Sequence, residues 1–162
     1  MAKLAWVLKS GKVIKKNEAA AAAFNGGNQQ QALALLEESL QIYEEYDRTH
    51  QLKGDLLAEM GQWQLAEGSY QRALQLNPRS VETLLNYGTM LHKTQRTAEA
   101  QDRFQAALGI DPQNPTVLFN LGVLCRDRGM FSEAEQYFRQ GIGSPQLSAA
   151  DRKRYQEQFG LN

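Results

Sequence analysis

The chain has 162 residues with 18 basic and 18 acidic side chains, and 42% of it is apolar. That length fits about one domain with a sizeable core, and the composition is that of a folded chain. The even charge argues against a nucleic-acid surface, one cysteine excludes an internal disulfide or a cysteine-rich zinc site, two histidines leave little for metal or acid–base chemistry, and no apolar run is long enough to cross a bilayer. A reduced, soluble, cytoplasmic protein is expected.

Residues 1–12 read as a separate basic segment. Lys3, Lys9 and Lys12, followed by Lys15 and Lys16, stand there without an acid, and the apolar run Leu4–Leu8 is too short for a secretory signal. A basic amphipathic segment suits an anionic membrane surface. An alternative is that Trp6, Val7 and Leu8 cap the open end of a helical array, and membrane contact is the lesser expectation.

From residue 13 the chain repeats itself every 34 residues. Gly54, Gly88 and Gly122 keep that step, as do Ala32, Ala66, Ala100 and Ala134, the column Leu36, Tyr70, Phe104 and Phe138, and the column Leu40, Leu74, Leu108 and Ile142. Gly27, Gly61 and Gly129 form another column, with Gln95 in the missing third slot. A fixed period of this length marks stacked supersecondary units. The units run 13–46, 47–80, 81–114 and 115–148.

The first unit has the run Ala19–Ala23, a turn at Gly26-Gly27, and Glu44 where the next two units place Pro78 and Pro112; the fourth unit has its Pro one residue early, at Pro145. The second helix of the first unit is therefore free to run on through Tyr46, or its joint to the next unit is looser. The second unit puts His50 and Lys53 at first-helix positions that are apolar elsewhere, and Asn77-Pro78 ends its second helix. In the third unit Leu84, Tyr87, Gly88 and Leu91 share one helix face, Lys93–Arg96 is a polar turn, and Ala100, Phe104, Ala107 and Leu108 repeat the spacing on a second helix. The fourth unit opens with Asn114 as a cap and Pro115 at the first helical position, and Ser132 with Glu135 matches a capping box. Residues 149–162 read as a ninth, capping helix with Ser148 and Asp151 at its start and Tyr155 and Phe159 able to dock on the last unit. Small residues at 88, 122, 100 and 134 are expected to let helices approach, and Phe104 and Phe138 to fill the gap between successive hairpins.

These columns resemble the tetratricopeptide repeat. Leu84, Gly88, Ala100, Phe104, Ala107 and Pro112, and Leu118, Leu121, Gly122, Ala134 and Phe138, follow its pattern closely; residues 47–80 follow it in their second half, and residues 13–46 most loosely. The resemblance implies an all-α fold: an α-solenoid of four helix–turn–helix repeats plus a capping helix, wound as a right-handed superhelix. It also implies a concave surface lined by first helices that binds peptides or helices of other proteins. By that register the inward residues include Glu82, Leu85, Asn86, Thr89, His92 and Lys93 in one unit. In the next they are Thr116, Phe119, Asn120, Val123, Arg126 and Asp127, and the second unit adds Asp55.

Asn86 and Asn120 recur at one register and resemble two rungs of the asparagine ladder by which some members hold a peptide backbone; the plain alternative is that Asn is common at that position. Leu85, Phe119 and Val123 would supply apolar contact, with Phe119 as the main anchor. The clamp that holds chaperone carboxylate tails would fall on Gln51, Asp55, Asn86, Thr116 and Asn120, or one unit earlier on Asn17, Ala21, Leu52, Glu82 and Asn86. No cation stands in either frame, so chaperone tails are not the expected ligand.

No catalytic, metal or cofactor constellation stands out. Cys125 reads as a buried hydrophobe, His50 as a satisfied packing residue, His92 as a groove or surface residue, and Glu37-Glu38 and Glu44-Glu45 as solvated helix faces. The expected function is a non-catalytic adaptor for another protein or peptide, without nucleic acid or small-molecule substrate. Self-association within a larger assembly, or a membrane-surface assembly role for the lysine-rich start, are the alternatives.

Overall fold

The computed structural model describes the backbone of residues 2–161 and the side chains of residues 9–161, so the capping by Trp6, Val7 and Leu8 lies outside the described residues. Among the described residues all regular structure is helical: α1 (Ala2–Asn25), α2 (Gln29–Ile42), α3 (Asp47–Glu59), α4 (Trp63–Leu76), α5 (Val81–Lys93), α6 (Thr97–Ile110), α7 (Pro115–Asp127), α8 (Phe131–Gly143) and α9 (Ala149–Phe159). Helices α3, α5, α7 and α9 each begin 34 residues after the one before, and so do α2, α4, α6 and α8. Helix α9 therefore stands where a fifth unit would place its first helix. Helix α1 runs unbroken from Ala2, so residue 12 is not an element boundary.

The chain divides into two compact units, Met1–Pro78 and Arg79–Asn162. In the first, α1 packs on α2 and α3 on α4, and α3 also meets α2 and α1. Its core holds Val13, Ala20, Ala32, Leu36, Leu56, Leu57, Ala66, Tyr70 and Ala73. A polar triad lies inside it. The Asn17 amide donates to Thr49 Oγ1 at 2.8 Å, and Ser39 Oγ donates to Asn17 Oδ1 at 2.9 Å. One residue from each of α1, α2 and α3 takes part, so the register of three helices is set by bonds that are costly to leave unmade in a dry interior.

The irregular joint between α2 and α3 has a specific solution. Helix α2 ends at Ile42, short of Tyr46. The buried His50 ring donates from Nε2 to the Glu44 carbonyl at 2.7 Å, in place of the missing proline stop. Lys53 keeps its stem on the helix pair and reaches Glu37 of α2 at 3.3 Å.

In the second unit α5 packs on α6 and α7 on α8, α7 also meets α5 and α6, and α9 lies on α8. A ring-on-glycine contact closes three of the four hairpins. A methyl added to Gly54, Gly88 or Gly122 would fall 2.7, 2.6 or 2.4 Å from the ring of Tyr70, Phe104 or Phe138. The rings thus seat on the first helix of their own hairpin, a contact that the expectation for Phe104 and Phe138 did not include. The first hairpin pairs Ala20 with Leu36 at these two positions.

Each hairpin turn needs a left-handed residue. Gly27, Gly61 and Gly129 have φ of 80, 72 and 76°, and Gln95 takes the same conformation at 64°. Asn114 Oδ1 accepts from Val117 N at 3.2 Å and Ser148 Oγ from Asp151 N at 3.1 Å, the expected caps. Ser132 caps nothing: the left-handed Gly129 starts α8 at Phe131, which puts Ser132 inside the helix, and Glu135 instead bonds Arg139 at 2.8 Å.

Candidate functional site

The expected inward residues occupy positions 2, 5, 6, 9, 12 and 13 of their units, which at 100° per residue fall on one stripe of a helix. In the second unit this stripe runs along two helices in contact, α5 and α7. Glu82 and Lys93 are exposed on α5, and Leu85, Asn86, Thr89 and His92 are half-buried there. On α7, Thr116, Arg126 and Asp127 are exposed and Asn120 and Val123 half-buried. His92 Nε2 meets Asp127 Oδ2 at 3.1 Å, so the two helices are tied at the end where both carry charge.

Some of these side chains already have local partners. Thr89 Oγ1 donates to the Leu85 carbonyl at 2.9 Å, and the Asn120 amide to the Thr116 carbonyl at 2.8 Å. Each is a bond back to the preceding helical turn, which a competing backbone must displace. The Arg126 guanidinium lies 6.0 Å over the Phe138 ring.

Phe119 is not on the surface. It is 6% exposed. The Tyr155 ring covers it at 4.0 Å between centroids and the Phe159 ring at 5.5 Å, while Gly141 of α8 gives it room from beneath. Phe159 also stacks on Phe138 at 3.9 Å. The assignment of Phe119 as an exposed anchor is therefore corrected: α9 uses it as its own seat. Sequence reasoning saw that Tyr155 and Phe159 could dock, but the residue they dock on lies more than 30 positions upstream and no local pattern links them.

Asp55 stands on α3 in the first unit, separate from the stripe on α5 and α7. It accepts from the Tyr70 hydroxyl at 2.8 Å and the Gln51 amide at 3.2 Å. Burial, then the Asp55 charge and bond, push the Tyr70 phenol far up, so it stays a donor. Asp55 is thus oriented by groups beneath it.

The chemistry of the remaining candidates is quiet. Cys125 is buried, and burial followed by the Glu133 charge raises its thiol above the ordinary range. A thiol so placed is a poor nucleophile. Among the described residues no cluster of His, Cys, Asp or Glu could hold a metal, and no helix is long and apolar enough to cross a membrane.

Two family models described as Tetratricopeptide repeat match the chain, one over residues 52–115 and one over 91–153. No curated protein matches it by sequence. Several solved structures are similar in fold. A structure from work on Pseudomonas aeruginosa pilF superposes with a TM-score of 0.81 at 21% identity, covering 94% of this chain and 77% of that one. The Arabidopsis OM64 TPR domain gives 0.68 at 22% identity, covering 74% of this chain and 98% of that one. The first TPR of Spaghetti (RPAP3), bound to an HSP90 peptide, gives 0.69 at 16% identity, covering 74% and 95%.

Proposed function

The chain belongs to the tetratricopeptide-repeat family, and from that premise we propose that it is a non-catalytic adaptor that binds a peptide segment or helix of another protein along the α5–α7 stripe of its second unit. The carrying observation is the half-buried pair Leu85 and Val123, set among Asn86, Asn120 and the charged Glu82, Lys93, Arg126 and Asp127 on two adjoining helices. Apolar groups ringed by polar ones give a surface both contact energy and selectivity. The stripe rests on closed hairpins, so little ordering cost falls on the protein when a partner binds.

The charge on the stripe is mixed, two acids against Lys93 and Arg126. A partner should therefore bring both signs, not a purely acidic tail. The five clamp positions Gln51, Asp55, Asn86, Thr116 and Asn120 carry no cation, and we do not extend to this chain the chaperone peptide seen on its structural neighbour.

Site-specific photo-crosslinking tests the reading. Benzoyl-phenylalanine is placed at Leu85, Thr89 or Val123, and for comparison at the exposed Gln105 or Gln136 of α6 and α8. One protein partner captured from the first three positions and absent from the other two is the expected result. Adducts from the second set alone, or from both equally, would place binding elsewhere.

A further inference from the structure

The first hairpin departs from the other three at one pair of columns, and a cavity lies at that place. In the later hairpins a glycine on the first helix receives an aromatic ring from the second. Here the glycine column holds Ala20 and the ring column holds Leu36. A methyl and a branched aliphatic side chain do not fill the volume of a ring, and close-packed interiors show such a deficit as a void.

A cavity of about 170 Å³ opens there, lined by Ala20, Ala21, Phe24, Leu36, Leu52 and Asp55 among others. An apolar cavity of about 150 Å³ is large enough to admit benzene. Its mouth is open for a local reason. In the run Ala19–Ala23 no side chain is long enough to fold over it, and Ala21 is exposed at the rim.

The cavity continues into a second depression that shares Ala21 and Leu52 and adds Ile14, Glu18, Tyr46 and Arg48. Ile14 is 42% exposed, and the other exposed side chains described on its helix are polar groups and alanines. The charged residues among the lining of these two depressions are Glu18, Asp55 and Arg48. Arg48 donates to Gln51 Oε1 at 2.7 Å, and Asp55 is held in place by Tyr70 and Gln51. Two carboxylates against one guanidinium favour a cation on the incoming segment and disfavour an acidic one.

We infer that the α1–α3 face of the first unit seats one aromatic side chain from a partner's cationic amphipathic segment, supplying from outside the ring that this hairpin lacks. The inference rests on the reading of first-helix faces as partner-binding surfaces, and it adds the anchor and the charge of the segment that binds the first unit. The hydrophobic anchor gives affinity and the rim carboxylates choose among anchors by their flanking charge.

The test uses the full chain and fluorescein-labelled 14-residue helical peptides read by anisotropy. One peptide carries a single Phe flanked by Lys. Its sisters change that Phe to Ala, or the flanking Lys to Glu. Two protein variants are compared with the parent. Ala20→Gly/Leu36→Phe rebuilds the glycine–ring pair of the other hairpins and fills the cavity from inside. Ala21→Arg leaves the core alone and blocks the mouth with a charge of the wrong sign. Thermal unfolding confirms that both are folded.

The parent should bind the Phe/Lys peptide at least about tenfold more tightly than the sister without Phe, the effect of burying one ring, and more tightly than the Lys→Glu sister, whose acids would face Glu18 and Asp55. Both variants should lose that preference. Equal affinity for the three peptides, or undiminished binding by both folded variants, would overturn the inference. If that happens while crosslinks at Leu85 and Val123 persist, the second-unit reading stands and only the cavity is excluded. Cavity-dependent binding without those crosslinks supports the inference and removes the second-unit stripe.

Discussion

A single methyl group decides whether a hairpin closes. At Gly88 it would stand 2.6 Å from Phe104, against a ring held on all sides in a fully buried position. Gly88→Ala should therefore destabilise by about 1–3 kcal/mol, measured by urea denaturation. Adding Phe104→Leu to that variant should recover part of the loss, because Ala20 with Leu36 already packs that way in the first hairpin. A strictly additive double variant would show that ring and methyl do not meet. Gln95 is the converse case, a side chain in a backbone conformation that suits glycine. Gln95→Gly should stabilise by about 0.5–1 kcal/mol, the left-handed strain less the extra chain entropy of glycine.

His50 carries a pH signature. Burial lowers its pKa below 6.5; the bond to the Glu44 carbonyl opposes this, and the charges of Arg72 and Lys53 reinforce it. The unfolded chain then binds the proton more readily than the folded one. The stability from neutral His50 is fully present above the unfolded value and is lost as pH falls through it toward the folded one. The melting temperature of the parent should fall between about pH 7.5 and 5 more steeply than that of His50→Gln, whose amide does not titrate. Parallel curves would show that His50 does not gate the joint between α2 and α3.

Helix α9 is the element whose position changes the reading of others. None of its residues is fully buried, and it holds to the second unit through Tyr155 and Phe159 on Phe119 and Phe138, with Arg152 bonding the Ser144 carbonyl at 3.2 Å. Phe119→Ala should accordingly cost folding stability, about 3 kcal/mol, because the ring is core and not a free contact. Tyr155→Ala/Phe159→Ala should cost about 2–4 kcal/mol and raise the fluorescence of a hydrophobic dye as Phe119 and Phe138 become exposed. Hydrogen exchange should find the α9 amides the fastest of the second unit's helices, since few apolar contacts hold them. Protection equal to that of α7 would refute this.

At the scale of the whole chain, a repeat protein is stabilised by each hairpin and by its nearest neighbours. Damage should then stay near its source. Gly54→Ala should lower exchange protection first in α3 and α4, and Gly122→Ala first in α7 and α8. A uniform loss across the chain from either change would mean that it unfolds as one cooperative block.

The 34-residue period was legible because the same residue types return at that step, and the hairpin turns and the caps at Asn114 and Ser148 because each depends on residues within one turn of the position concerned. The register of Leu85, Asn86, Asn120 and Val123 came from the resemblance to the tetratricopeptide repeat, and helix geometry puts those positions on one stripe. The tertiary structure alone decided that Phe119 is covered, that His50 replaces a proline at the α2 joint, and that the first hairpin keeps an open cavity. Each of these turns on how much space is left between helices that meet from distant parts of the chain. Local spacing fixes the direction in which a side chain leaves its helix, while the volume it finds there is set by packing.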